Sequence, residues 1–252
     1  MNKKIRLLTV LFLVLYFAAE PAFALPEGLT IPGVDLTVTP ADGPEEVVDS
    51  VKLLVLITIL SLAPAFLMMM TSFVRIVIVL SFVRTSLGTQ QIPPNQVILG
   101  LALFLTFFVM YPVYQEVDAR AVKPYLSGTV SQEEALELGA QPVKQFMLKQ
   151  TREKDLALFI NIAGVDRPRN RDEVPFRAVV PAFMISELKT AFQMGFMLFV
   201  PFLVIDMVVA SILMSMGMFM LPPVMIALPF KILLFLLVDG WYLVVKSLVE
   251  SF

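Results

Sequence analysis

From Val97 to Tyr114 the chain carries no charged residue, and the stretch from Leu53 to Val74 carries none either. A helix needs about 20 apolar residues to cross the hydrocarbon core of a bilayer. Both runs reach or approach that length, so each is expected to be a helical span, the first kinked at Pro64. Composition points the same way: 58% of residues are hydrophobic and 16% charged, with a mean hydropathy of +0.84. A soluble domain has about 45–50% apolar and about 25% charged residues. The chain has no Cys and no His, which removes thiol nucleophiles, imidazole acid–base chemistry, zinc sites and haem ligation together. A formal net charge of −2 offers nucleic acid no electrostatic attraction.

The first 24 residues have the layout of a cleaved signal peptide. Lys3, Lys4 and Arg6 precede an apolar core, Leu7 to Phe17, and Ala22-Phe23-Ala24 supplies a small-x-small cleavage site. That core is well short of the about 20 residues that a membrane anchor requires. Cleavage after Ala24 would leave the N-terminus outside the cytoplasm. Residues 25–49, with Pro26, Pro32, Pro40 and Pro44, read as an extended exported arm.

A first helical hairpin is expected over 50–115, its two apolar runs joined by a connector holding Arg75 and Arg84 and no acid. Placed in the cytoplasm, that connector follows the positive-inside rule. The next segment, 116–188, is polar and charge-balanced and is expected to be a small helical periplasmic domain. Within it, Ser131-Gln132-Glu133-Glu134 has capping-box spacing. The helix it opens should stop at Gly139 and Pro142, and a second, amphipathic helix should run from Val143 to Ile160. The last part, 189–252, is apolar again and reads as a second hairpin. Hydropathy does not separate helices that lie in lipid from helices buried in a protein complex.

In that hairpin Asp206 and Lys231 are the opposite charges deep in apolar sequence, and the midpoint between them falls in Met214-Ser215-Met216-Gly217-Met218-Phe219-Met220. Each lies ~18 Å of helix from the tip, so an antiparallel pair would bring them level. A lone charge in hydrocarbon costs at least ~2.5–3.5 kcal/mol, and the two are expected to pair. Gly217 and the Pro222-Pro223 pair oppose regular helix at the tip and make a loop there. Three readings of the methionines compete: ordinary core filling, a thioether site for a soft metal, and a deformable lining for a passage. Such a metal site would lack the His or Cys company it often keeps. A loop at membrane depth is tolerated only where it is buried in protein or lines a cavity. Core and gate both stand on these grounds. Glu187 and Lys189 read as a solvated helix end, since one carboxylate is no catalytic dyad.

The stretch PAFMISELKTAFQMGF, with PFLVIDMVVASILMSMGMFMLPP, LPFKILLFLLVDGW and TSFVRIVIVLSFVRTSLGTQQIPPNQVILGLALFLTFF, resembles the FliP family of flagellar export-gate proteins, relatives of a virulence type III secretion component. The resemblance spans nearly the whole chain. It implies an all-α, membrane-associated, non-enzymatic subunit without cofactor or metal, whose hairpins stack into a conical, helically arranged oligomeric pore. It also implies a pentamer assembled with FliQ-like and FliR-like subunits inside the basal-body ring, in the bacterial inner membrane, and passing unfolded polypeptides. The family places a methionine loop at the pore constriction. Here that loop is Met218-Phe219-Met220 with Met214 and Met216 beside it, and Phe219 stands where the family commonly has a third methionine. Glu187, Asp206 and Lys231 match family positions implied in assembly or gating. A different class of protein, a small-solute or ion transporter using Asp206, Lys231 and Asp239, would show inverted repeats; none is visible in the sequence.

Overall fold

A computed structural model describes residues 44–89, 91–164, 168 and 170–252. The expected signal peptide, with Ala22 and Ala24, and the exported arm up to residue 43 lie outside the described residues. The chain divides into a unit up to Val55 and a larger one from Leu56 to Phe252. Of the first unit, the described part is the start of a helix. The described residues are helical and contain no strand. The all-α expectation holds.

Helix α1, Pro44–Met69, opens on a proline, which loses nothing at a first helical position. It runs through Pro64 and stops at Met69; the chain turns at Met70–Ser72 and restarts as α2, Phe73–Ser86. The expected span Leu53–Val74 is therefore two helices. A larger correction concerns the Arg75–Arg84 connector, which is not a loop. It is α2, and α2 lies in the core: Phe73, Ile76, Val79, Leu80 and Val83 are buried at helical spacing, and Arg75 is buried with them. The physical reason is that Arg75 finds partners elsewhere in the fold, described below.

Helix α3, Asn95–Val117, continues through a π-helical turn, Asp118–Val122, into α4, Lys123–Leu126, making a 32-residue rod long and apolar enough to cross a membrane. Ser131 caps α5, Gln132–Gln150, accepting from the Glu134 N–H at 3.2 Å. This helix does not stop at Gly139 and Pro142. Gly139 lies against Ala121 of the π-helical turn, where a side chain would be crowded, and the ring of Pro142 is buried. Packing outweighs the lost hydrogen bond. The break falls instead at Thr151–Arg152, and α6, Glu153–Ile162, follows.

After a 3-10 turn at Arg171–Glu173, α7 runs unbroken from Phe176 to Ser215, 40 residues, across the boundary expected near residue 188. Its N-terminal part joins α5 and α6 in one apolar cluster of Met147, Leu148, Leu156, Val179, Ala182 and Phe183. Its middle packs on α2. There Gly195 admits Phe82 so closely that a Cβ would sit 2.5 Å from the ring. Helix α8, Pro223–Leu237, returns along α7. A 63° bend at Val238–Asp239, where Asp239 is left-handed (φ 52), leads into α9, Gly240–Glu250. The apolar windows of the α3 rod and of α7 are only 17% and 11% buried within the chain. Their remaining apolar surface fits lipid or other subunits.

Candidate functional site

The hairpin tip is built from local rules. Helix α7 ends in a Schellman motif: Gly217 N–H donates to Met214 O at 3.0 Å and Met218 N–H to Leu213 O at 3.0 Å, with Gly217 at φ 76. The left-handed residue is a glycine because a Cβ there is strained. Pro222 and Pro223 then open α8, with Pro223 at its first position. Between these stops, Met216 to Pro222 form the loop. Its side chains point away from the fold: Met214, Met216 and Phe219 are well exposed and Met220 is 99% exposed, whereas Leu213 just before them is buried.

Behind the tip, the Lys231 ammonium donates to Asp206 Oδ2 at 2.6 Å, within one chain. Lys231 is 2% exposed and Asp206 21%. The second carboxylate oxygen, Asp206 Oδ1, is buried and has no partner among the described residues. Lys231 Nζ also lies beside Gly88, in the turn after α2. Aromatic rings brace the base of the hairpin: Phe202 and Phe235 lie 6.3 Å apart, and Phe235 meets Trp241 edge-on at 5.3 Å. Asp239, at the bend, is exposed.

Glu187 is not a solvated helix end, and it does not join Asp206 and Lys231. It is fully buried and forms a bidentate pair with Arg75: Nε donates to Glu187 Oε2 at 2.9 Å and Nη2 to Oε1. Arg75 Nη2 also donates to Gln150 Oε1 at 3.0 Å, and Nη1 to Ser251 O at 2.9 Å and Ser251 Oγ at 3.1 Å. All five guanidinium N–H groups are thereby used. The Phe252 ring lies 3.9 Å from the guanidinium carbon. One residue thus ties together α2, α5, α7 and the segment after α9. Sequence reading missed Arg75, though a signal existed: a lone arginine among apolar residues at positions 73, 76, 79, 80 and 83 sits on the buried stripe and needs an acid.

A smaller polar clasp holds α6 to α7. Asp155 accepts from Ser186 Oγ at 2.7 Å and pairs with Arg152 at 2.5 Å, while the Arg152 N–H donates to Ser186 Oγ. Burial pushes the Asp155 carboxyl up, but the Ser186 hydroxyl and the Arg152 guanidinium outweigh it and hold it below the ordinary carboxylate value. Among the described residues no group of three or more Asp and Glu is placed to hold a metal ion.

Such a chain, with membrane-length helices, outward apolar faces and a hairpin tipped by exposed methionines above a largely buried ion pair, is a helical membrane protein. A model of the FliP family matches residues 56–248. The chain is 63% identical over 209 residues to the flagellar biosynthetic protein FliP of Bacillus subtilis (strain 168), covering 83% of this chain and 95% of that protein. It is 58% identical over 203 residues to that of Pectobacterium carotovorum subsp. carotovorum (81% and 79%) and 51% identical over 224 residues to that of Aquifex aeolicus (strain VF5) (88% and 92%). The chain belongs to the FliP family.

Proposed function

We propose that this chain serves in flagellar biosynthesis as the pore-forming subunit of the protein export gate of the inner membrane. It is a component of the export apparatus, not an enzyme. Five copies, joined by FliQ-like and FliR-like subunits within the basal-body ring, bring their hairpin tips together around a passage for unfolded polypeptides. Met214, Met216, Met218, Phe219 and Met220 from each copy form a compliant seal. The unbranched thioether side chain repacks at low cost around whatever fills the passage and closes on itself when nothing does. Phe219 adds a stiffer aromatic layer. The helices α5 and α6 form the periplasmic domain, and residues 1–24 are removed on export.

One observation carries this reading. The largest apolar side chains of the tip are exposed in the single chain and held there by Gly217 and Pro222-Pro223, a placement that ordinary core filling does not produce. Apolar residues displayed on a fixed loop mark a contact surface, here one for neighbouring copies. Asp206 and Lys231 support it in a second way, since pairing within one chain lets the hairpin be buried in an assembly without importing a net charge. The transporter reading needs those groups as a relay with Asp239 and inverted repeats around them, and the sequence shows no such repeats. Isolation of the protein with its gene neighbours, followed by copy counting in native mass spectrometry, tests the proposal. A defined hetero-oligomer with five copies of this chain is expected; a lone solute-transporting dimer would end it.

A further inference from the structure

Helix α9 packs one face, with Gly240, Val244 and Leu248 buried, against the core and is fastened at both ends by specific contacts. At the near end it leaves α8 through the left-handed Asp239 and the 63° bend. Along its length Val244 and Leu248 face the core, but Trp241, Tyr242, Leu243 and Val249 are exposed. An open apolar groove of about 450 Å³, lined by Leu101, Trp241, Tyr242, Val245, Lys246 and Val249, runs between its outer side and α3. At the far end the contacts are dense and specific. Ser251 gives Arg75 two acceptors. The Phe252 ring stacks on Phe146 of α5, with centroids 6.3 Å apart and planes 21° apart, and its other neighbour is the Arg75 guanidinium. The Phe252 main-chain oxygen accepts from Lys149 Nζ at 3.0 Å and Gln150 Nε2 at 2.9 Å, both from α5.

We propose that Ser251–Phe252 is a clasp that fastens α9, and so the returning arm of the hairpin, to the polar helix α5, and that opening this clasp lets α9 pivot at Asp239. Three features support it. Its partners sit on two elements distant in sequence, α2 and α5, so closing it adds polar and aromatic contacts to the apolar packing of α9. Its pieces are mutually dependent: Gln150 serves both Arg75 and Phe252, and Arg75 serves both Glu187 and Ser251. The aromatic ring inserted between a guanidinium and a second ring is also a contact that a single side-chain motion makes or breaks, unlike the distributed packing of α2 on α7. The clasp concerns the single chain and stands whether or not the export reading does.

The chain has no cysteine, so cysteines placed at the exposed Gln145 on α5 and Glu250 on α9 are the only thiols for spin labels. Pulsed electron–electron resonance on the full, detergent-solubilised chain should give one narrow distance. Phe252→Ala should broaden it severalfold with helical circular dichroism unchanged, and Phe252→Trp, which keeps a ring, should stay narrow. Asp239→Gly, which loosens the bend with the clasp intact, should also stay narrow. An unchanged narrow distance in Phe252→Ala overturns the proposal, as does broadening in Asp239→Gly alone. If Phe252→Ala loses its helical signal, Lys149→Ala, whose ammonium is at the surface, takes the same test, with partial broadening expected and none contradicting it.

Discussion

A guanidinium taken out of water must find five acceptor contacts, and Arg75 finds them in three segments beyond its own helix: α7, α5 and the residues after α9. Removing one partner leaves an uncompensated buried charge, which costs about 3–5 kcal/mol, whereas replacing a whole pair with apolar residues of similar size is often neutral. Glu187→Gln should therefore lower the apparent Tm in detergent sharply, while the double variant Arg75→Met with Glu187→Leu should recover much of the loss; equal losses would deny the pairing its energetic role. The same test applies at the hairpin. Asp206→Lys and Lys231→Asp should each destabilise the protein by a similar amount, and the exchange of both should restore it. A double exchange no better than either single one contradicts the pair. Asp155 has a pH consequence. Its folded-state pKa lies below the ordinary value of 3.8, so its contribution is complete above that value and is lost as pH falls through the folded one. Thermal melts should show stability dropping below about pH 4, with a shallower drop in Asp155→Asn. Equal slopes for the two proteins would deny Asp155 its role.

At the scale of elements, local chemistry was legible and tertiary competition was not. The tip loop follows from Gly217 and Pro222-Pro223, because a left-handed cap and a first-position proline act within a few residues. Gly217→Ala should accordingly cost about 1–2 kcal/mol, visible as a lower Tm with the ion pair behind it intact; a variant as stable as wild type would mean that the turn does not require the left-handed conformation. The capping of α5 by Ser131 is legible on the same grounds. Its continuation past Pro142 is not, since burial of that ring depends on what packs over it. The burial of α2 was misread for a related reason. Two arginines in an apolar sequence look like a charged connector until Glu187, 112 residues away, is brought against one of them. Glu187 was misjudged by the same omission, since a residue's exposure is set by neighbours that sequence spacing does not name. The pairing of Asp206 with Lys231 was accessible because a hairpin gives its register through the tip alone.

For the molecule as a whole, the outward faces of α3 and α7 and the displayed methionines leave extensive apolar surface that suits a membrane or a protein partner. Its inner fastenings, the Arg75 hub, the Asp155 clasp and the Asp206–Lys231 pair, hold the helices together within the single chain. The central claim is that the tip seals a passage. Single-channel conductance of the complete complex in a planar bilayer tests it most directly, comparing wild type with a variant in which Met216, Met218 and Met220 are all replaced by Ala. The assembled variant complex should show a resting ion leak severalfold above wild type; an assembled variant as tight as wild type would deny the methionines a sealing role.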